Sequence, residues 1–326
     1  MKDSFGRAID YLRLSITDRC NLRCRYCMPE AGVSSLGHAN VLSYEELLRV
    51  AGVAVALGVR KIRITGGEPL VRKGVVDFVR QLAALPGGPE ITLTTNGLLL
   101  EELAADLKGA GLSRVNVSLD TLRPERFQQI TRRDGLQRVL DGIHRAFAVG
   151  LTPLKINMVP LRGINEDEIL NFGRLTLEHP WEIRFIEFMP VSGKLDYNDE
   201  HRFSAQEIMT ELEQIDFLHP IQRTGVVGPA RLFRYAQGQG RIGVIPAVSQ
   251  HFCFECNRLR VTADGRIRPC LLNSEEIDLK TLLRRGASDA ELEALLRGAA
   301  WAKPKQHRVG EEDYREGTRG MQEIGG

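Results

Sequence analysis

The sequence predicts an α/β fold, an open and partial barrel of six β/α units, with an ordinary doubly wound sheet as the alternative. Three observations carry this expectation. Short β-rich runs alternate with helical stretches six times, which argues for parallel β/α units rather than antiparallel pairs. Six units are two short of a closed eight-stranded barrel. The runs also mix polar with apolar residues, whereas parallel strands covered on both faces read as near-continuous apolar runs. One face must therefore look into a lumen.

The elements follow in chain order. The strand-like runs are LRLSI (12–16), KIRIT (61–65), ITLTT (91–95), RVNVS (114–118), LKINMV (154–159) and IRFIEF (183–188). Ser43 with Glu46, and Asn165 with Glu168, have capping-box spacing, which starts helices before LLRVAGVAVALG and ILNFGRLTLE. Side chains alternate faces along a strand, so Arg13 and Ser15 share one face, as do Lys61, Arg63 and Thr65. Thr92 and Thr94 follow, then Arg114, Asn116 and Ser118, then Lys155 and Asn157. The opposite face is Leu, Ile and Val. If that face packs on the helices, the polar face lines the lumen, and several Arg and Lys there require an anion or water. From about residue 220 the pattern changes to Gly-rich, strand-like pieces (RTGVVGPARLFRYAQGQGRIGVIPA), which divides the chain into 1–219 and 220–326.

Composition narrows the function classes. The 326 residues carry 44 Lys plus Arg against 42 Asp plus Glu, a net charge of +2, so no overall basic field argues for nucleic acid or a membrane surface. Any anion site must be local. MKDSFGRAIDYLRLS has no apolar run long enough for a signal peptide, and no stretch approaches the ~20 apolar residues of a membrane helix, so a soluble cytoplasmic protein is expected. Cysteines in that setting point to metal or redox chemistry rather than disulfides.

The six cysteines fall into two triplets, Cys20, Cys24 and Cys27, then Cys253, Cys256 and Cys270. A cube of four irons is normally held by four Cys, so three leave one iron with an open position for substrate or cofactor. The first triplet, in DRCNLRCRYCMPE, follows the first strand directly, which puts it at the carboxyl end where β/α architectures work. Zinc is the alternative. The second triplet, in HFCFECNRLRVTADGRIRPCL, suits zinc as readily as iron, with His251 or a water completing a tetrahedron. KIRITGGEPL (61–70) ends a strand in Gly-Gly-Glu-Pro, where backbone can approach a ligand and exposed polar groups can hold an amino-acid ammonium and carboxylate.

Cys-x3-Cys-x2-Cys with Tyr26 before the last Cys, followed one β/α unit later by GGEP, resembles the radical S-adenosylmethionine superfamily. With the second triplet, the CNRLR segment and the closing GMQEIGG, residues 8–326 closely resemble the GTP 3′,8-cyclases of molybdenum-cofactor biosynthesis within it. The resemblance implies a partial (β/α)6 TIM-type barrel with a smaller C-terminal α+β domain over its open side. It also implies two [4Fe-4S] clusters, S-adenosylmethionine as cofactor, GTP as substrate and an external electron donor. A homodimer and a downstream pterin-forming enzyme complete the expected partners, with no nucleic acid and no membrane. By the same resemblance Cys20, Cys24 and Cys27 hold the first cluster, and Cys253, Cys256 and Cys270 the second. Tyr26, Gly67, Ser118 and Met189 match S-adenosylmethionine contacts. Arg13, Lys61, Arg63, Thr94, Lys155, Arg184, Arg258, Leu259 and Arg260 match GTP contacts. Arg258, Arg260, Gly325 and Gly326 are the expected catalytic positions, the last two threading a narrow channel so that a carboxylate meets an arginine. The implied reaction takes hydrogen from C3′ of GTP and joins C3′ to C8. Two rival classes are a radical peptide maturase with an auxiliary cluster and a zinc protein that binds nucleic acid. The basic lumen and the Gly-Gly argue against the first, the net charge against the second.

Overall fold

The computed structural model describes residues 1–32, 36–191, 199–222, 228–309, 311, 314, 317 and 319–325. Twelve strands form one sheet in the order β12-β11-β10-β1-β2-β3-β4-β5-β6-β9-β8-β7. They are β1 (Tyr11–Ser15), β2 (Lys61–Thr65), β3 (Glu90–Thr95), β4 (Arg114–Ser118), β5 (Lys155–Met158), β6 (Glu182–Ile186), β7 (His219–Ile221), β8 (Arg231–Arg234), β9 (Arg241–Ile245), β10 (Arg258–Val261), β11 (Arg266–Arg268) and β12 (Ile277–Asp278). The chain winds as six β/α units, as the alternation predicts. β9 then adds parallel to β6, and β10 parallel to β1. Eight neighbouring strands therefore run parallel, the two beyond the first six coming from the C-terminal part of the chain. Antiparallel strands finish both edges. Among the described residues the end strands β7 and β12 do not pair, so the barrel stays open.

The helices are α1 (Tyr44–Ala56), α2 (Val75–Ala83), α3 (Leu100–Gly109), α4 (Pro124–Thr131), α5 (Leu136–Ala148), α6 (Ile169–Glu178), α7 (Ala205–Leu212), α8 (Lys280–Arg284), α9 (Asp289–Trp301) and α10 (Met321–Ile324). Ser43 and Glu46 form both halves of the expected capping box at α1. The same box starts α7 at Ser204 and Glu207, and α9 at Ser288 and Glu291. The box expected at Asn165 and Glu168 does not form. Both side chains are fully buried and serve other partners. Asn165 donates to the carbonyls of Asp120 and Val159, while Glu168 accepts from Thr121 and the Leu122 amide. Two loops at the carboxyl edge of the sheet are tied together there, and α6 starts at Ile169, after a single 3-10 turn.

The apolar strand face meets the helices as the period of two requires. Leu12, Leu14, Ile62, Ile64, Leu93, Val115, Val117, Ile183 and Phe185 are buried in one core with Leu47, Val50, Phe78, Val79, Leu107, Val139 and Ile143 of the helices. At roughly 1.5–3 kcal/mol per buried large apolar side chain, this layer dominates the favourable term of folding. It also fixes register, since a one-residue slip would bury Lys61 and Arg63 in hydrocarbon.

Candidate functional site

The opposite strand face fronts a cavity of about 530 Å³, within the range of small-molecule sites. Arg13, Lys61, Arg63, Thr94, Arg114, Asn116, Ser118, Lys155, Asn157 and Arg184 all line it, with Arg258 and Arg260 from β10. The cations are nearly buried: Lys61, Arg63, Lys155, Arg258 and Arg260 are each exposed by 9% or less. Leu259 differs from the expected contacts, because alternation along β10 turns its side chain into the core and away from the cavity.

Two carboxylates partly neutralise this wall, and neither was foreseen. Glu182 is 2% exposed and sits 2.8 Å from Lys155 and 2.5 Å from Arg184. Burial alone would raise its pKa, but the two cations outweigh burial and hold it at about 2. The same burial, reinforced by Arg184, lowers Lys155 to about 7 despite its ion pair. One carboxylate cannot satisfy two buried cations, and Lys155 carries the deficit. Glu90 likewise binds Arg114 at 2.5 Å and Lys61 at 3.5 Å. Excess positive charge remains, and several buried polar atoms have no hydrogen-bond partner. Arg258 Nε, Arg260 Nη1, Asn116 Oδ1 and Asn157 Oδ1 are among them. Unpartnered buried guanidinium N–H groups are costly, and an anion with several acceptor oxygens answers them.

At the carboxyl end of β1, Cys20, Cys24 and Cys27 line the same cavity. All six cysteines are free. The Leu22 amide and Asn96 Nδ2 lie 3.4 and 3.8 Å from the Cys20 sulfur. Among the described residues no three Cys, His, Asp or Glu side chains converge on a point where one metal ion would sit. The donor set is thus three thiols on a cavity wall with N–H groups directed at one sulfur, which fits a cluster that takes three thiolates. Tyr26 donates to Asp120, whose other oxygen accepts from the Val159 amide. Burial raises Asp120 to about 6. Gly67, Ser118, Met189, Met321 and Gln322 complete this end of the cavity.

The Gly-Gly-Glu-Pro turn also has a local cause within the chain itself. A Cβ on Gly67 would lie 2.5 Å from the Arg19 carbonyl oxygen, and one on Gly66 2.6 Å from that of Thr17. The close neighbour is the chain's own backbone leading into the first triplet. Glu68 is buried and its carboxylate is occupied by the Leu70 and Asn96 amides and by Thr95. Burial pushes it up to about 7 against those hydrogen bonds. Gly67→Ala is therefore expected to displace residues 17–19, at roughly 1–3 kcal/mol of overpacking strain, and to lower the iron held by Cys20, Cys24 and Cys27. Iron per chain, measured after anaerobic reconstitution, checks this. Iron equal to that of the unmutated protein would mean the close approach does not support the triplet.

The second triplet sits beside β10, with its neighbours Phe252, Arg258 and Leu271 on the cavity wall. Lys303, 4% exposed, donates to the carbonyls of Arg258 (3.0 Å) and Pro269 (2.5 Å), tying the Cys256 arm to the Cys270 arm. Arg7 reaches the Cys253 carbonyl and those of Pro304 and Lys305. Burial would raise the Cys256 thiol, but Arg258, Lys303 and Arg260 pull it down to about 7. The first triplet has the opposite field, with burial and Cys20 pushing Cys27 up to about 12. Three free thiols under buried cations suit a second thiolate-bound group of net negative charge. His251 lies next to His307, their rings 5.0 Å apart.

Gly325 enters the lumen from α10. Its carbonyl accepts from Arg13 Nη2 at 3.2 Å and from Thr65 Oγ1 at 3.3 Å. Gly326 lies outside the described residues.

Residues 14–176 match the family model described as the radical SAM superfamily, and 181–309 that described as Molybdenum Cofactor Synthesis C. The chain is 51% identical to a GTP 3′,8-cyclase of Moorella thermoacetica, and 48% to one of Heliobacterium modesticaldum, with all of each chain covered. Among solved structures it is similar to Streptococcus suis SuiB bound to S-adenosylmethionine. The TM-score is 0.61 at 15% identity, over 93% of this chain and 77% of that one. At that identity the likeness concerns the fold.

Proposed function

The chain belongs to the radical S-adenosylmethionine superfamily and, within it, to the GTP 3′,8-cyclases, and from that membership we propose which of its residues perform each part of the reaction. The enzyme is a lyase that converts GTP to (8S)-3′,8-cyclo-7,8-dihydro-GTP, the first step of molybdenum-cofactor biosynthesis. Cys20, Cys24 and Cys27 hold the [4Fe-4S] cluster that, with S-adenosylmethionine, supplies the carbon radical taking hydrogen from C3′. Tyr26, Gly67, Ser118 and Met189 position S-adenosylmethionine at this end. Cys253, Cys256 and Cys270 hold a second [4Fe-4S] cluster at the substrate end.

The observation that carries the substrate assignment is the row of buried cations on one strand face, Lys61, Arg63, Lys155, Arg258 and Arg260, with Arg258 Nε and Arg260 Nη1 left without a partner. Arg13, Lys61, Arg63, Lys155, Arg184, Arg258 and Arg260 bind the triphosphate, and Thr94 assists through its contact with Arg63. Each charged hydrogen bond contributes about 1.5–3 kcal/mol. Their shared task is positioning: C3′ and C8 must be held within reach of each other while the wall excludes water. The division into a barrel over 1–219 and a C-terminal unit over 220–326 follows the change in sequence pattern, and the second unit brings β10 with its two arginines to the lumen. No helix among the described residues is long and apolar enough to cross a membrane. We place the enzyme in the cytoplasm as a homodimer, supplied by an external electron donor and passing its product to a pterin-forming enzyme.

A peptide-maturase reading rests on likeness of fold at 15% identity and loses to full-length relatives at 51%. The test is anaerobic turnover with S-adenosylmethionine, dithionite and GTP deuterated at C3′, followed by mass spectrometry. Label is expected in 5′-deoxyadenosine together with the cyclised nucleotide. Cyclised product accompanied by unlabelled 5′-deoxyadenosine would exclude this route.

A further inference from the structure

Tyr11 has no part in the assignment above, yet it stands at the middle of the basic wall. It lines the cavity and is 5% exposed. In the sheet register it lies directly between Lys61 on β2 and Arg258 on β10. The Lys61 ammonium is 5.0 Å from its ring centre, and the guanidinium groups of Arg63 and Arg258 are each 5.9 Å away. Arg63 Nε donates to its phenol oxygen. One row further along, Arg13 is flanked by Arg63 and Arg260.

Like charges directly opposite on neighbouring strands destabilise a sheet, so this row needs a counter-charge when no substrate is bound. The two carboxylates paired with these cations are taken, Glu90 by Lys61 and Arg114, and Glu182 by Lys155 and Arg184. Neither is bonded to Arg63 or Arg258. Cys256 of the second triplet acts on Arg258 and Arg260, and the phenol is the acidic group between Arg258 and Arg63.

We infer that Tyr11 is an exchangeable counter-charge of the substrate site: its phenolate balances the cations of the unliganded wall, and it takes up a proton when a triphosphate brings its own negative charge. The inference rests on the proposed binding of GTP to this wall. The direction of titration agrees with the geometry. Burial alone would raise the phenol, but Arg63, Arg13, Lys61 and Arg258 outweigh burial and lower it to about 7. Tyr26 and Tyr44 are pushed the other way by burial, Tyr44 to about 12. Of Tyr11, Tyr26 and Tyr44, Tyr11 is therefore the one whose ionisation near neutral pH its surroundings favour. Lowering the pKa of an acid stabilises its ionised form, so raising the pH through that value charges the phenolate. The phenolate then competes with phosphate for Arg63, and affinity falls by about tenfold per pH unit for one linked proton.

Lys61 and Lys155, both lowered by burial, lose charge as pH rises and weaken binding in the same sense. The affinity slope alone therefore does not identify Tyr11, but the near-ultraviolet band of tyrosinate does. The experiment titrates the reconstituted holoenzyme, slightly above neutral pH, with inorganic tripolyphosphate, which does not absorb there. A parallel arm follows GTP by calorimetry in two buffers of different ionisation enthalpy. Saturation with tripolyphosphate is expected to bleach a large fraction of one tyrosinate per chain, and Tyr11→Phe to abolish the bleaching. The calorimetric proton uptake should be smaller in that variant by the same fraction of a proton. An unchanged tyrosinate band in the unmutated holoenzyme, which needs no variant to fold, would overturn the inference. So would bleaching that persists in Tyr11→Phe. Failure of GTP to bind while tripolyphosphate still bleaches the band would strike at the substrate reading and leave Tyr11 in place.

Discussion

Gly325→Ala is expected to lose most cyclisation while keeping full iron content. Gly325 has φ +68°, a backbone conformation that alanine adopts at a cost of about 1–2 kcal/mol. A Cβ there would stand 2.7 Å from Ser15 Cβ and 2.8 Å from Thr65 Oγ1, on two rigid neighbouring strands. Neither strand can yield, because their opposite faces pack into the core through Leu14 and Ile64. The tail must move instead, and its carbonyl then leaves Arg13 and Thr65. The preceding turn is anchored separately, since Ile324 packs with Val191 and Leu272. The fold should survive. A misplacement of about 1 Å near reacting atoms can reduce rate by about 100-fold, which sets the expected loss in product formed per minute. Gly298→Ala in α9 is the control: its Cβ would meet nothing within 4 Å, so turnover should not change. Normal turnover in Gly325→Ala would remove the tail from the positioning machinery.

The strand faces were legible because the period of two depends only on neighbouring residues. KIRIT and RVNVS have the bounds read from the sequence, and Arg13, Lys61, Arg63, Thr94 and Lys155 reach the cavity as that period requires. Tyr11, Glu90 and Glu182 each open their strand one residue before the apolar start of the runs LRLSI, ITLTT and IRFIEF. The alternation that joins Arg13 to Ser15 extends back to Tyr11, and that of Arg184 extends back to Glu182. The polar end of each run was the missing signal. The other omissions were not local. Lys303 meets Arg258 across 45 residues of chain, and Tyr26 meets Asp120 across 94. Asn165 and Glu168 show the converse error, in which correct local spacing gave way to buried tertiary donors. β9 lies within the strand-like pieces after residue 220, but the sequence does not show that β9 and β10 extend the parallel sheet on its two sides, because that pairing is set by packing between segments distant in the chain.

Cys24→Ala and Cys256→Ala are expected to separate the two halves of the reaction. Each site has only three thiols, so losing one removes a third of the protein's hold on the group. Loss of an outer-shell partner already reduces affinity or activity by about 10- to 100-fold, and loss of a ligand should exceed that. The sites are held by different parts of the chain. Cys24 is anchored by the turn through Cys27 and Met28 and by apolar packing against the core, whereas Cys256 depends on β10, Lys303 and the Pro269 carbonyl. Damage at one should therefore leave the other intact. Cys24→Ala should form neither 5′-deoxyadenosine nor cyclised nucleotide. Cys256→Ala should still form some 5′-deoxyadenosine, because Cys20, Cys24, Cys27 and their surroundings are untouched, but no cyclised nucleotide, because the substrate end has lost its second group. Mössbauer spectra and quantified 5′-deoxyadenosine from both variants check the division. Equal loss of cleavage in the two variants, or spectra of the unmutated protein that contain a single cluster, would make the second triplet something other than an independent cluster site.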